Sequence, residues 1–135
     1  MGFQAGQLFV NLPVDNLQNS INFFTALGFE FNPQYTDENA TCMIINGNTF
    51  AMLLVKEFFN TFTSKKIIDT SGQTEVILAI SASSKTEVDE LVQKALAAGG
   101  KPFNNPVDHG FMYNWSFQDI DGHLWEVMYM EENAG

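Results

Sequence analysis

Apolar and polar positions alternate with a period of two over residues 8–14, LFVNLPV. Leu8, Val10, Leu12 and Val14 share one face and Phe9, Asn11 and Pro13 the other, which predicts a β-strand. The period then lengthens. Leu17, Ile21, Phe24 and Leu27 fall on one helical face. Asp15 or Asn16 stands where a helix cap belongs, and Gly28 where a helix ends. Extended runs follow at 29–35, 40–46 and 49–55, with Asn46-Gly47 as a hairpin turn between the last two. Over 56–72 the pattern changes. Phe58, Phe59 and Phe62 predict a short amphipathic helix, and 69–72 read as loop.

The first order of elements then recurs. Residues 75–82 read as a strand. Ser84 with Glu87 forms a capping box, and Val88, Leu91, Val92, Ala95 and Leu96 make a helical stripe ending at Gly99-Gly100. Strands are predicted at 101–103, 111–118 and 123–130, the last two joined by Asp121-Gly122. Each half reads β-α-β-β-β. NGNTFAMLL (46–54) lies over DGHLWEVMY (121–129), and FVNLPVDNLQNS (9–20) over EVILAISASSKT (75–86). This duplication predicts a single α+β domain, 1–135. It contains two tandem βαβββ modules, 7–55 and 74–131, and a connector, 56–73. The sheets are expected to form an incomplete β-barrel-like cleft, with the helices on the outer face.

Composition narrows the function. The chain of 135 residues carries a net charge of −10, and its 16 Asp and Glu outweigh six lysines. It has no arginine. Such a chain repels phosphate backbones and lacks the planar fork that grips carboxylates, so nucleic acid is not an expected partner and a neutral or cationic small molecule is. No apolar run is long enough for a membrane span. The N-terminal residues lack the basic and apolar regions of a secretory signal. One cysteine, Cys42, excludes an intrachain disulfide and reads as a buried small side chain. The expected location is the cytoplasm.

One charge is out of place. Glu126 sits in the middle of the apolar run LWEVMYM. Leu124, Glu126, Met128 and Met130 share one face, and Trp125, Val127 and Tyr129 the other. The aromatic face suits helix packing, which leaves Glu126 facing the cleft. Phe9, Asn11, Met52, His109, Tyr113 and Trp115 are the candidate pocket walls.

The duplication, with FQDIDGHLWEVM and NLPVDNLQNSINFFTALGFEF, resembles the vicinal-oxygen-chelate superfamily over residues 7–130. That group includes glyoxalase I, extradiol dioxygenases, fosfomycin-resistance enzymes and bleomycin-resistance proteins. The resemblance implies one divalent ion (Mg, Mn, Zn or Fe) held by inward strand side chains, with open positions for two adjacent substrate oxygens. Its ligand places fall on Glu126, on Glu75, on Phe9, and on Ala51 or Met52. Phe9 and Ala51 cannot bind a metal, and a thioether suits hard divalent ions poorly. Glu75 and Glu126 are left as an incomplete set. The expected function is therefore lyase- or isomerase-type proton transfer on a small oxygenated molecule, with Glu126 as base or metal ligand. Dioxygenase chemistry is disfavoured, because no histidine occupies a matched place. The alternative is a metal-free drug-binding protein of the bleomycin-resistance type. A homodimer is expected, since two-fold dimers are the commonest oligomers.

Overall fold

The computed structural model describes residues 2–131. These divide into two compact units that meet between Ile67 and Ile68, inside the expected connector. The first holds β1 (Leu8–Val14), α1 (Leu17–Leu27), β2 (Glu30–Asn32), β3 (Ala40–Asn46), β4 (Thr49–Val55) and the single turn α2 (Lys56–Phe59). The second holds β5 (Ile77–Ser81), α3 (Lys85–Ala97), β6 (Val107–Asp108), β7 (Met112–Gln118) and β8 (Leu124–Met130). Each unit is an open four-stranded sheet, ordered β1-β4-β3-β2 in the first and β5-β8-β7-β6 in the second. In both, the first strand runs parallel to the fourth and the remaining pairs are antiparallel. The α+β architecture of two tandem βαβββ modules is thus observed, with neither sheet closed into a barrel.

Local chemistry accounts for the elements. The Asn16 side chain accepts from the Asn19 N–H at 2.9 Å and starts α1. Gly28, at φ 102°, ends it in the left-handed conformation that glycine adopts without steric cost. Ser84 caps α3 by accepting from the Glu87 N–H at 3.0 Å. The return bond of the expected capping box is displaced by one residue, because the Glu87 carboxylate takes the N–H of Ser83 at 2.7 Å. That bond, with a second from the Ser83 hydroxyl, holds the Glu87 carboxyl below its ordinary pKa.

Four expected elements are corrected. The run 29–35 keeps strand geometry only to Asn32. Pro33 has no N–H to give the ladder, and Asn32 accepts from the Gln34 N–H, so 33–35 turn as a 3-10 helix. Residues 101–103 form no strand, only a bridge between Lys101 and Gln118. Pro102 interrupts them, and the pairing moves on to β6. The helix expected to include Phe62 stops at Phe59, and Phe62 meets Phe58 edge to face at 5.2 Å while staying exposed. The strand expected from residue 75 starts at Ile77. On β1 the apolar face is buried only at Leu12 and Val14, and Leu8 is exposed.

Each unit has its own core on the helix side of its sheet. In the first, Phe23, Phe24 and Leu27 of α1 are buried, as are Met43, Ala51 and Leu53 of the sheet. In the second, Val88, Val92 and Ala95 are buried on α3, as are Phe117, Trp125 and Val127 on the strands it packs against. The Phe117 and Trp125 rings are parallel, 6.3 Å apart.

Candidate functional site

Alternation along β8 decides where its carboxylate points. Trp125 and Val127 are buried on the helix side, whereas Leu124, Glu126 and Met128 are half-buried on the opposite face. The ladder places Ala79 of β5 on one side of Glu126 and Ser116 of β7 on the other. Residues paired across a ladder share a face. Ala79, Glu126 and Ser116 therefore form one row on the helix-free face of the second sheet. A cavity of about 300 Å³ lies over this row. Glu126, Ser116, Asn114, His109, Trp115 and the loop asparagines Asn104 and Asn105 help to line it.

Ser116 is 3% exposed, and its hydroxyl has no hydrogen-bond partner among the described residues. A buried polar group left unpaired costs about 1–3 kcal/mol. Among the described residues Glu126 takes part in no ion pair, whereas Lys56 pairs with Asp15 and Lys85 with Asp108.

The turn that delivers Glu126 is built on a buried acid. Asp119, 4% exposed, accepts from the Asp121 N–H (2.9 Å) and the His123 N–H (3.0 Å) through one oxygen. Its other oxygen accepts from the Trp125 indole N–H at 3.0 Å. Burial pushes its pKa up, against the opposing pull of His123 and of these N–H donors. Gly122, at φ 86°, completes the turn under Thr70, whose hydroxyl donates to the Asp121 carbonyl. The rim is fixed differently. Asp108 accepts from the Gly110 N–H (2.8 Å) and from Lys85 (3.2 Å), and these bonds hold its carboxyl below its ordinary pKa. His109 lies in this exposed loop with its N–H donated to the Met112 carbonyl at 2.8 Å.

The first unit has a second cavity, of about 540 Å³, and a different character. Phe9 and Phe50, stacked at 5.0 Å, line it with Tyr35, Met52 and Cys42. Cys42 is buried, which pushes its thiol pKa up.

The expected site residues divide accordingly. Glu126, His109 and Trp115 meet at the cavity of the second unit, and Phe9 and Met52 at that of the first. Trp115 borders its cavity from a register opposite buried Val127, on the helix side. Asn11 shares the Phe9 face and pairs with Met52, but lies outside the lining. Tyr113 is corrected. Its hydroxyl donates to Asp89 on α3 at 2.5 Å, so it serves the helix face. That bond and burial push its pKa up to about 12.

Glu75 is corrected too. It lies exposed in a bend before β5, and Ala79 takes the place beside Glu126. The helix caps show the slip. Phe9 stands seven residues before the cap Asn16, and Ile77 stands seven before the cap Ser84. The partner of Phe9 is thus Ile77. Of the two candidates for the partner of Glu126, Ala51 is buried in the core and Met52 lines a cavity. The four places implied for a divalent ion therefore hold Phe9, Met52, Ile77 and Glu126. One hard oxygen donor among three apolar side chains does not fit such an ion. Among the described residues no three His, Cys, Asp or Glu cluster as ligands.

Sequence reading missed Asn104, Asn105, Asn114 and Ser116. The Ser116 signal was available, since Ser116 and Glu126 lie five residues to either side of Asp121, the centre of the hairpin.

Two βαβββ units, each an open four-stranded sheet, are the architecture of the vicinal-oxygen-chelate class. Residues 6–127 match the model of the Glyoxalase/Bleomycin resistance protein/Dioxygenase superfamily, and the chain belongs to that family. Hypothetical protein SA1046 of S. aureus is similar at 30% identity and TM-score 0.78, with 95% of each chain covered. A glyoxalase/bleomycin resistance protein/dioxygenase family enzyme of Burkholderia phytofirmans shares the fold at 17% identity and TM-score 0.73, covering 90% of this chain and 96% of its own. The fosfomycin resistance protein FosX of Listeria monocytogenes does so at 18% identity and TM-score 0.66, covering 100% and 97%. No curated protein matches. Among the described residues no helix is long and apolar enough to cross a membrane.

Proposed function

We propose that this chain is a metal-independent small-molecule-binding member of its superfamily, with its ligand seated over Glu126, Ser116 and Asn114. The observation that carries this reading is the donor set. With Glu75 outside the row and Ile77 in its place, one carboxylate remains where a catalytic ion needs about three protein ligands. Sequestration of a ligand needs no such set. The test is elemental analysis of protein purified without added metal, beside the Glu126→Gln variant. Absence of a divalent ion from both is the expected result. A near-stoichiometric ion that the variant loses overturns the reading.

A second reading is favoured by the position of Glu126 itself. A half-buried carboxylate facing a cavity is a serviceable general base. It would then take a proton from a small oxygenated molecule, in lyase- or isomerase-type chemistry. Exchange of ligand C–H protons in D₂O, present in the wild type and lost in Glu126→Gln, is the result that would promote it. A cytoplasmic homodimer belongs to the same proposal, and sedimentation equilibrium tests the dimer.

A further inference from the structure

We propose that the cavity of the second unit selects a small aliphatic primary ammonium ion. The inference rests on the binding reading above and names its ligand class. Three observations carry it.

The first is charge. Glu126 is the one carboxylate in the lining and His109 its one basic side chain; among the described residues the lining contains no lysine, and the chain has no arginine. Lys85, near the rim, is already paired with Asp108. A ligand carboxylate or phosphate would meet Glu126 with neither a lysine nor an arginine to offset it, whereas a cation would supply the counter-charge.

The second is hydrogen-bond demand. The Ser116 hydroxyl is buried and unpartnered beside Glu126, and Asn104, Asn105 and Asn114 can each turn a carbonyl oxygen toward the cavity. With the Glu126 carboxylate these oxygens form a group of acceptors, beside the His109 and Trp115 rings. A primary ammonium brings three N–H donors and no acceptor, which matches that group. A quaternary ammonium has the charge and no donor, so it leaves Ser116 as it is.

The third is size. A volume of about 300 Å³ lies at the lower limit of small-molecule sites, which suits a compact amine.

The experiment is an amide NMR titration of the full chain at physiological salt, which screens the −10 net charge. The probes are n-propylammonium, tetramethylammonium and neutral n-butanol. Saturable shifts centred on Asn114, Ser116 and Glu126 are expected with n-propylammonium. Tetramethylammonium and n-butanol should bind at least about tenfold more weakly, as expected when a charge-assisted bond is lost. Glu126→Gln and Ser116→Ala, each checked for a native amide spectrum, should both weaken the primary amine. Equal affinity for tetramethylammonium or n-butanol overturns the inference, as do shifts scattered over the acidic surface. Metal analysis separates the two failures. A stoichiometric ion sinks the binding reading, whereas a metal-free protein indifferent to n-propylammonium sinks the ammonium inference alone.

Discussion

Ser116 and Glu126 stand opposite each other on β7 and β8, and the buried hydroxyl of Ser116 has no partner among the described residues. A group kept at such a cost is expected to trade stability for binding. Ser116→Ala removes the unpaired oxygen and leaves a small side chain in its place. The ligand-free variant should be as stable as the wild type, or more stable by up to about 1 kcal/mol. Urea denaturation measures this, and a loss of more than about 1 kcal/mol would show that the hydroxyl already has a structural role.

Asp119 carries the opposite expectation. Its carboxylate takes three N–H donors, two from the turn backbone and one from Trp125. Asp119→Ala orphans all three and should cost about 2–4 kcal/mol, with a change in Trp125 fluorescence. Asp119→Asn keeps one oxygen for the backbone but turns an NH₂ toward the indole N–H, so a smaller loss, about 1–2 kcal/mol, is expected. The pH dependence follows from the raised pKa of Asp119. A carboxyl raised in the folded state adds stability below its unfolded value, and that contribution is lost as pH rises through the folded value. The wild-type advantage over Asp119→Asn should therefore be largest in acid and shrink toward neutrality.

Tyr113 gives a spectroscopic test. Its bond to Asp89 pushes the phenol up to about 12. The chain has three tyrosines, so phenolate absorbance should show a late fraction of about one third, absent from Tyr113→Phe. The stabilising effect of this bond is present below the ordinary tyrosine pKa and is lost as pH rises through about 12. At neutral pH the variant should lose about 1 kcal/mol in urea, the net worth of one hydrogen bond. An unchanged titration would mean that the phenol is free in solution.

How much of this was legible depended on the range of the forces involved. The strands β3 and β4 were readable to the residue, because Asn46-Gly47 and the alternation on either side are local signals. So was the face of Glu126, since parity within one strand needs no partner. The Glu75 assignment failed because it depended on aligning two strands across the duplication, where a slip of two residues preserves the alternation and only the helix caps reveal it. Tyr113 was misplaced for a related reason. Its face is set by its partner Asp89 on a helix 24 residues away. The orphaned Ser116 hydroxyl depends on everything packed around it, which no local pattern encodes.

The last prediction contrasts two turn glycines. Gly122 adopts φ 86°, and a Cβ there would stand 2.7 Å from the Thr70 carbonyl oxygen. Gly47 is outside the left-handed region, and a Cβ there would meet nothing within 4 Å. In the unfolded chain alanine is restricted equally at both sites, which alone favours folding by about 0.4–1 kcal/mol. At Gly47 nothing opposes that gain, so Gly47→Ala should stabilise by about 0.5 kcal/mol. At Gly122 both backbone strain and a clash with rigid main chain oppose it, and Gly122→Ala should destabilise by about 2 kcal/mol or more. Because this turn feeds directly into β8, the Gly122 variant should also shift the amide signals of Trp125 and Glu126, while the Gly47 variant leaves them in place. Thermal melts and amide spectra of the two variants, side by side, test both halves. Equal melting temperatures would show that the turn around Asp121 yields more readily than its contact with Thr70 implies.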